Sequence, residues 1–365
     1  MERLILSQRA LNRALLARQG LLERSAAAPL EMIERLVGMQ AQVPSNPYVA
    51  LWARIEGFRP EQLSELIATR AAVRAQLMRS TIHLVSARDA RALHPLALPV
   101  LGRTFRSQHL RQLAGADLDE VVGAGRELLA AGPLTRAELA AALAPRWPDA
   151  DAAALAHAIT FHTALVQVTP RGLWGKSGAP RWERTEAWLA SGLDGAASID
   201  AVVLRYLAAF GPASTADVRT WSGFTGLRAV LERLRPQLVT SADESGRELF
   251  DVPGAPLPDP ATPAPVRFLP EYDNLLLSHA ERSRMLLGLG PGRPWPTGRW
   301  IGTLLVDGFF RAYWNIERAT LTIDRFTPQS DDPAGTFDQI VAEGARLLEF
   351  VAPAGERRVR FDPPP

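Results

Sequence analysis

The sequence predicts a mainly α-helical chain with short β-hairpins, an α+β protein of three tandem winged-helix motifs followed by a C-terminal α+β unit. Three observations predict it. Helices followed by a strand pair, which is winged-helix order, recur three times along the chain. The second and third copies open alike, on Gly132-Pro133-Leu134-Thr135 and Gly211-Pro212-Ala213-Ser214. A stretch rich in proline and alanine, Val252 to Pro265, then separates these modules from the remainder. The expected divisions are 1–115, 116–190 and 191–255 for the modules and 266–365 for the last unit.

In the first module an amphipathic helix is expected over Ser7 to Ala17, with Leu11, Leu15 and Leu16 on one face and Arg9, Arg13 and Arg18 off it. A second helix starts at Pro29, a favoured first-turn residue, and carries Met32, Ile33, Leu36 and Val37 toward the core. It runs into Gly38-Met39-Gln40-Ala41-Gln42-Val43-Pro44. Pro44 disfavours the α conformation at Val43, so the helix ends about here. If the chain is extended across Gln40 and Gln42, both amides point the same way. They are then either a pair of uncharged groups aimed into a cleft or two polar residues at a helix end. Tyr48 to Ile55 is apolar on most sides, a helix follows from Pro60, and Val73–Met78 and Thr81–Ser86 are strands around Arg79-Ser80.

In the second module Thr135 and Glu138 form a T-x-x-E capping box for a helix to about Leu143, and another helix covers Asp151 to Thr163. Leu165 to Pro170, the turn Arg171-Gly172 and Leu173 to Gly175 read as its hairpin. The third module has helices over Val202–Phe210 and Thr225–Leu234, and a hairpin of Gln237–Ser241 with Glu248–Val252. In the last unit strands are expected at Val266–Leu269, Gly302–Val306, Arg311–Ile316, Thr320–Arg325 and Arg358–Phe361, with a helix over Ala334–Phe350 before the last of them. The loop Ser278 to Trp300 is long and arginine-rich, as functional loops are.

At 365 residues the chain is long enough for two or three domains, and 47% hydrophobic with 22% charged residues is a soluble globular composition. No apolar run approaches bilayer-spanning length, so no membrane is expected and the cytoplasm is. The absence of cysteine rules out disulfides, thiolate metal sites and a thiol nucleophile. Net charge is only +2 although the pI is 9.4, because the 41 basic residues include a single lysine, Lys176, and almost nothing else titrates above neutrality. Clustering matters more. Arginines gather at Arg103, Arg106 and Arg111; at Arg219, Arg228, Arg233 and Arg235; and at Arg282, Arg284, Arg293 and Arg299. With three winged-helix modules, such clusters argue for a duplex-binding surface.

Other chemistries are poorly supported. His157 and His162 lie five apart on a helix without carboxylates at ligand spacing, so no metal site is expected. Gly288-x-Gly290-x-Gly292 is interrupted by Pro291 and opens no helix, and there is no P-loop, so no nucleotide cofactor is expected either. Lys176, beside the second wing, suits a phosphate contact or plain exposure better than a Schiff base.

Four stretches carry a family resemblance. Leu36 to Pro44, Leu77 to Val85, Phe268-Leu269-Pro270-Glu271-Tyr272-Asp273-Asn274 continuing to His279, and Leu304-Leu305-Val306-Asp307-Gly308 together resemble the bacterial winged-helix DNA glycosylases, the family of the azinomycin B self-resistance enzyme. The resemblance spans nearly the whole chain in the right order. It implies three winged helices forming a C-shaped cleft for duplex DNA and excision of N7-alkylated guanine. In some members it extends to unhooking interstrand crosslinks. The family's Gln-Φ-Gln signature falls on Gln40-Ala41-Gln42, which makes Gln40 and Gln42 the implied catalytic pair. A DNA-inserting hairpin is also implied, with Asp307-Gly308 and the segment from Arg282 to Trp300 as candidates. Candidate backbone contacts are Arg79, Arg282, Arg284, Arg299 and Lys176.

Two amides suffice for such a reaction on physical grounds. A guanine alkylated at N7 is a cation that leaves as a neutral molecule, so no acid need protonate it. What remains is stabilising an oxocarbenium-like sugar and placing one water. Glutamine does not ionise and is a poor general base. A crosslinked guanine cannot swing into a closed pocket, so unhooking needs an open cleft. The expected enzyme is a monomer without cofactor, acting on duplex DNA that carries alkylated or crosslinked guanine. The alternatives are a non-catalytic winged-helix regulator and a scaffold whose wings bind protein.

Overall fold

A computed structural model describes residues 4–286, 302–326 and 333–362. The chain opens with strand β1 (Ile5–Leu6) and helix α1 (Gln8–Arg18), whose first turn is capped by the Ser7 hydroxyl. The Leu face of α1 is buried as its period predicts. Arg13 and Arg18, however, are buried too, at 0% and 4% exposure, and do not lie on an outer face. The reason is distant acid. Arg13 pairs with Asp307 at 2.5 Å, and both Arg18 Nη atoms donate to the Asp251 carboxylate at 2.7 Å. Helix α1 is therefore a strut pinned by charge to two separate parts of the fold.

Helix α2 (Pro29–Arg35) stops before Pro44 is reached. Val37 and Gly38 take positive φ, and the Gly38 amide donates to the Ile33 carbonyl at 2.9 Å, a Schellman-type ending. A side chain at Gly38 would also meet Val85 Cγ1 at 2.6 Å. The chain then runs through β2 (Met39–Gln40), α3 (Asn46–Arg54), α4 (Pro60–Ala68), β3 (Ala72–Gln76) and β4 (Ile82–Ser86). The last two are joined by a tight turn in which Arg79 and Ser80 have φ of 54° and 59°.

Next comes α5 (Ala87–Gln108), a helix that holds Pro95 and Pro99 in its interior, residues that read in sequence as breakers. It leads to α6 (Leu118–Ala130), β5 (Leu134–Thr135), α7 (Arg136–Leu143) with the expected Thr135–Glu138 capping box, and α8 (Ala152–His162). The second hairpin differs from expectation. Strand β6 (Leu165–Gln167) pairs with β7 (Arg181–Arg184), and residues 168–180, including Leu173 to Gly175, form the connection. Helices α9 (Thr185–Leu189), α10 (Ile199–Phe210), α11 (Thr215–Ser222) and α12 (Leu227–Leu234) precede the hairpin β8 (Val239–Asp243) and β9 (Glu248–Asp251). The remainder is β10 (Arg267–Pro270), α13 (Asn274–Leu277), β11 (Gly302–Val306), β12 (Phe309–Glu317), β13 (Thr320–Arg325), α14 (Thr336–Val351) and β14 (Arg358–Asp362).

Three sheets organise these strands. One runs β2-β4-β3-β6-β7-β5 and is continuous from the glutamine motif to the second hairpin. A second is β1-β8-β9, in which the N-terminal strand lies parallel to β8. The third is β10-β11-β12-β13-β14, antiparallel except for its last pair. A large apolar core runs from Leu15 through Trp182 and Trp221 to Leu304 and Leu348, and a small separate one gathers Leu6, Ala10, Leu11 and Leu249. Among the described residues no helix is long and apolar enough to cross a membrane.

The Asp307-Gly308 turn is not a free hairpin tip. Asp307 takes salt bridges from Arg9 and Arg13, Asn12 Nδ2 donates to the Gly308 carbonyl at 2.8 Å, and a side chain at Gly308 would strike Leu16 at 2.5 Å. This candidate for insertion into DNA is fastened against α1. Most of the other, beyond Leu286, lies outside the described residues.

Two stability predictions follow from these burials. Asp251→Ala strands the Arg18 guanidinium in the core and is expected to cost about 3–5 kcal/mol in urea unfolding, whereas the apolar pair Arg18→Met with Asp251→Leu costs well under that. The second concerns pH. His83 and His94 are held neutral by burial, with pKa lowered to about 3 and about 4. Unfolded, each gains a proton near pH 6.5, so their contribution is complete above that value and is lost as pH falls toward 4 and 3. Unfolding at pH 5 is expected to show a loss of about 2 kcal/mol per histidine relative to pH 7. His83→Gln should remove one such share.

Candidate active site around Gln40 and Gln42

The glutamine motif is built on the edge of the six-stranded sheet. Met39 and Gln40 pair with Leu84 and His83 of β4, and the Ala41 amide donates to the Ile82 carbonyl at 2.7 Å. The backbone is thus extended, as the reading of shared orientation required, and Ala41 is buried between two more exposed glutamines. The amides nevertheless open on different recesses. Gln42 lines a cleft of about 240 Å³ together with Arg74, Gln76, Gln167, Arg171 and Trp182. Gln40 lines a narrow recess with Arg54, Tyr272, Asp273 and Asn274.

The two amides also differ in how they are held. Gln42 Oε1 accepts the Ile82 N–H at 3.2 Å, which leaves its NH₂ as the group free to donate into the cleft. Gln40 Oε1 is buried and meets no hydrogen-bond donor. A buried acceptor without a partner is costly, and natural proteins keep few of them outside sites of function.

The wall behind Gln40 comes from the far end of the chain. Asn274 Nδ2 donates to the Gly38 carbonyl at 2.7 Å, and Asn274 Oδ1 accepts the Gln40 N–H at 3.4 Å. Asn274 is placed by its neighbour Asp273, which caps α13 and forms a two-pronged ion pair with Arg54 at 2.9 and 2.7 Å. Among the described residues Asp273 is the one carboxylate lining this recess, and both its oxygens are committed. Among the described residues, the lining of the wider cleft beside Gln42 has no carboxylate. Arg74 braces the motif from that side, donating to the Ala41 carbonyl at 2.7 Å.

The surrounding electrostatics are cationic and otherwise neutral. Burial, then the charge of Arg136, lowers His157 to about 4, so it is uncharged at neutral pH. His83 is neutral for the reasons already given, with Arg79 Nη2 3.4 Å from its Nε2. Burial, then the charge of Arg282, lowers Arg79 to about 10, which leaves it a cation. Among the described residues, nothing lining the cleft beside Gln42 can act as an anionic base.

The arginines named from sequence are divided by the fold. Arg284 is only 2% exposed and donates to the Pro212 carbonyl at 3.0 Å, close to the Asp217 charge, so the expected phosphate contact is an interior cation instead. Arg79 is largely enclosed, with Nη1 donating to the Trp221 carbonyl at 2.6 Å. Arg282 is half-buried, Lys176 is exposed on the 168–180 connection, and Arg299 lies outside the described residues. Two features escape the sequence reading. Arg74, Arg136 and Arg171 converge on the Gln42 cleft from three separate segments. Tyr272, 41% exposed at the rim of the Gln40 recess, is held at φ 59°. An arginine in a strand as apolar as Ala72-Val73-Arg74-Ala75 was the available signal for the first; positive φ leaves no trace in sequence at a tyrosine.

No curated protein matches the sequence. Among solved structures the chain is similar to the Streptomyces sahachiroi DNA glycosylase AlkZ, at 19% identity and a TM-score of 0.75 over 98% of this chain and 100% of that one, a likeness of fold. The family model described as DNA glycosylase AlkZ-like matches residues 33–350, a span that takes in the glutamine motif, the cleft and the Asp273-Asn274 wall. The chain belongs to the AlkZ-like DNA glycosylase family.

Proposed function

We propose that the enzyme is a monofunctional glycosylase that hydrolyses the N-glycosidic bond of N7-alkylated guanine in duplex DNA, with Gln40 and Gln42 as the catalytic amides. The observation that carries this reading is the Gln42 amide on a cleft whose lining, among the described residues, contains no carboxylate. An N-glycosidic bond to a neutral base needs acid or base assistance. A bond to a cationic base does not, and a site of this composition suits only the second case. The Gln42 NH₂ can hold the oxygen of the attacking water, and the partnerless Gln40 oxygen, which lies on the neighbouring recess, serves once its side chain turns toward the cleft to face the developing positive sugar.

The reading extends to the frame. The three helix-and-hairpin groups, 1–115, 116–190 and 191–255, act as winged helices around a C-shaped cleft, and the 266–365 unit buttresses them. Lys176 and Arg282 contact the DNA backbone. The protein works as a monomer without cofactor. A cleft open at one side admits a guanine still tied to the opposite strand, so crosslink unhooking and protection against a DNA-alkylating natural product belong to the same proposal.

The test is a duplex oligonucleotide with a single 7-methylguanine, incubated with the enzyme and then cleaved at abasic sites with alkali. Strand cleavage is expected with the wild type, and Gln40→Ala or Gln42→Ala is expected to slow single-turnover release by roughly a hundredfold each. Duplexes containing uracil should stay intact, and borohydride should trap no covalent adduct. Release of uracil, or full activity in the double glutamine variant, contradicts the proposal.

A further inference from the structure

The Gln42 cleft holds three guanidinium groups that have no acidic partner among the described residues. Arg74 is 2% exposed and spends one NH₂ on the Ala41 carbonyl, while its Nε and Nη1 are buried without acceptors. Arg136 is the first residue of α7, where the helix dipole disfavours a cation, and its guanidinium lies 5.3 Å over the Trp182 ring with Nε unpaired. Arg171 donates to the Gly178 carbonyl at 2.8 Å and also keeps a buried, unpaired Nε. Trp182, 1% exposed, adds an indole N–H with no acceptor.

Such an arrangement is expensive. Buried donors are ordinarily satisfied and buried cations ordinarily paired. The fold nevertheless compresses this cluster. Gly172, at φ 100°, packs so close that a side chain there would lie 2.7 Å from Arg74 Cδ, and Tyr48 fixes the Gly172 carbonyl at 2.7 Å. Burial and the neighbouring Arg171 lower Arg74 to about 10, so it is still charged at neutral pH.

We propose that Arg74, Arg136 and Arg171 form a binding pocket for one DNA phosphodiester, seated beside Gln42 and distinct from the site of the departing base. A phosphate supplies what the cluster lacks: negative charge and several acceptors at once. The cationic base is the wrong occupant, since three guanidiniums repel it and no carboxylate compensates. The pocket therefore divides the cleft, with the phosphate over the arginines and the alkylated guanine kept away from them. Because Arg74 also holds the Ala41 carbonyl, it is a positioning residue that ties the seated phosphate to the backbone between the two catalytic amides. The reading of the chain as a DNA glycosylase enters only in naming the polymer that carries the phosphate.

The experiment uses undamaged duplex DNA, so that its outcome is independent of excision. A single neutral methylphosphonate linkage is stepped along one strand, and affinity is measured for the full-length wild type and for Arg136→Gln, Arg171→Gln and the double variant, each checked for folding by its thermal melt. One linkage position is expected to cost the wild type about tenfold in affinity and to cost the double variant nothing further. The slope of log affinity against log salt should fall by roughly 1 in the double variant, which gives up one phosphate contact. Equal methylphosphonate losses in wild type and double variant, or an unchanged salt slope, overturn the pocket. So does tighter binding of a 5′-phosphorylated end, or displacement by inorganic phosphate alone, since either assigns the arginines to a terminal or free phosphate. If the pocket behaves as expected but 7-methylguanine is not released, the glycosylase reading has failed and the phosphate site stands.

Discussion

The buried pair of Arg54 and Asp273 is the interaction on which the site depends. One partner ends helix α3 and the other begins the short helix α13, so a two-pronged bond between fully enclosed charges joins segments more than two hundred residues apart. Removing either partner alone would leave an uncompensated charge in the core. What the pair fixes is the register of Asn274, whose amide grips the Gly38 carbonyl and the Gln40 N–H. The glutamine motif is a short edge strand with β4 on one side. Its other side is finished by this asparagine and by the Arg74 bond to Ala41.

That construction assigns different work to two kinds of nitrogen. The amides of Gln40 and Gln42 are neutral at every pH and can orient water or face a forming cation, but they cannot take a proton. The guanidiniums of Arg74, Arg136 and Arg171 are permanent charges that serve a phosphate and repel a cationic base. Asp273, the one acid among the described residues that line the two recesses, is consumed by Arg54, and the imidazoles of His83 and His157 are neutral by burial. On the proposed reading the site is poor at activating a leaving group and well suited to one that is already charged. Its selectivity is built from what is missing as much as from what is present.

Much of this was legible in the residues. The Gln40-Ala41-Gln42 spacing, the Thr135–Glu138 capping box, the hairpin around Asp243 to Gly246 and the strands of the C-terminal unit are local patterns, and local physics writes them. The failures have a common cause in distance. Arg13 and Arg18 read as solvent-facing because their partners, Asp307 and Asp251, lie far along the chain. The return strand β7 was missed because the connection from β6 is long and irregular. Arginine clusters in sequence did not identify the cleft, since Arg74, Arg136 and Arg171 come from a strand, a helix start and a connection. Arg284, drawn from a conspicuous cluster, is interior.

The central claim is that positive charge on the base, and not its shape, is what this site requires. It is tested most directly by comparing two duplexes under single-turnover conditions, one with 7-methylguanine and one with 7-deaza-7-methylguanine, which keeps the methyl group and the outline but is neutral. The account predicts release of the first base and none of the second. Release of both at similar rates would contradict it, because two amides without an acid would then be expelling an uncharged base.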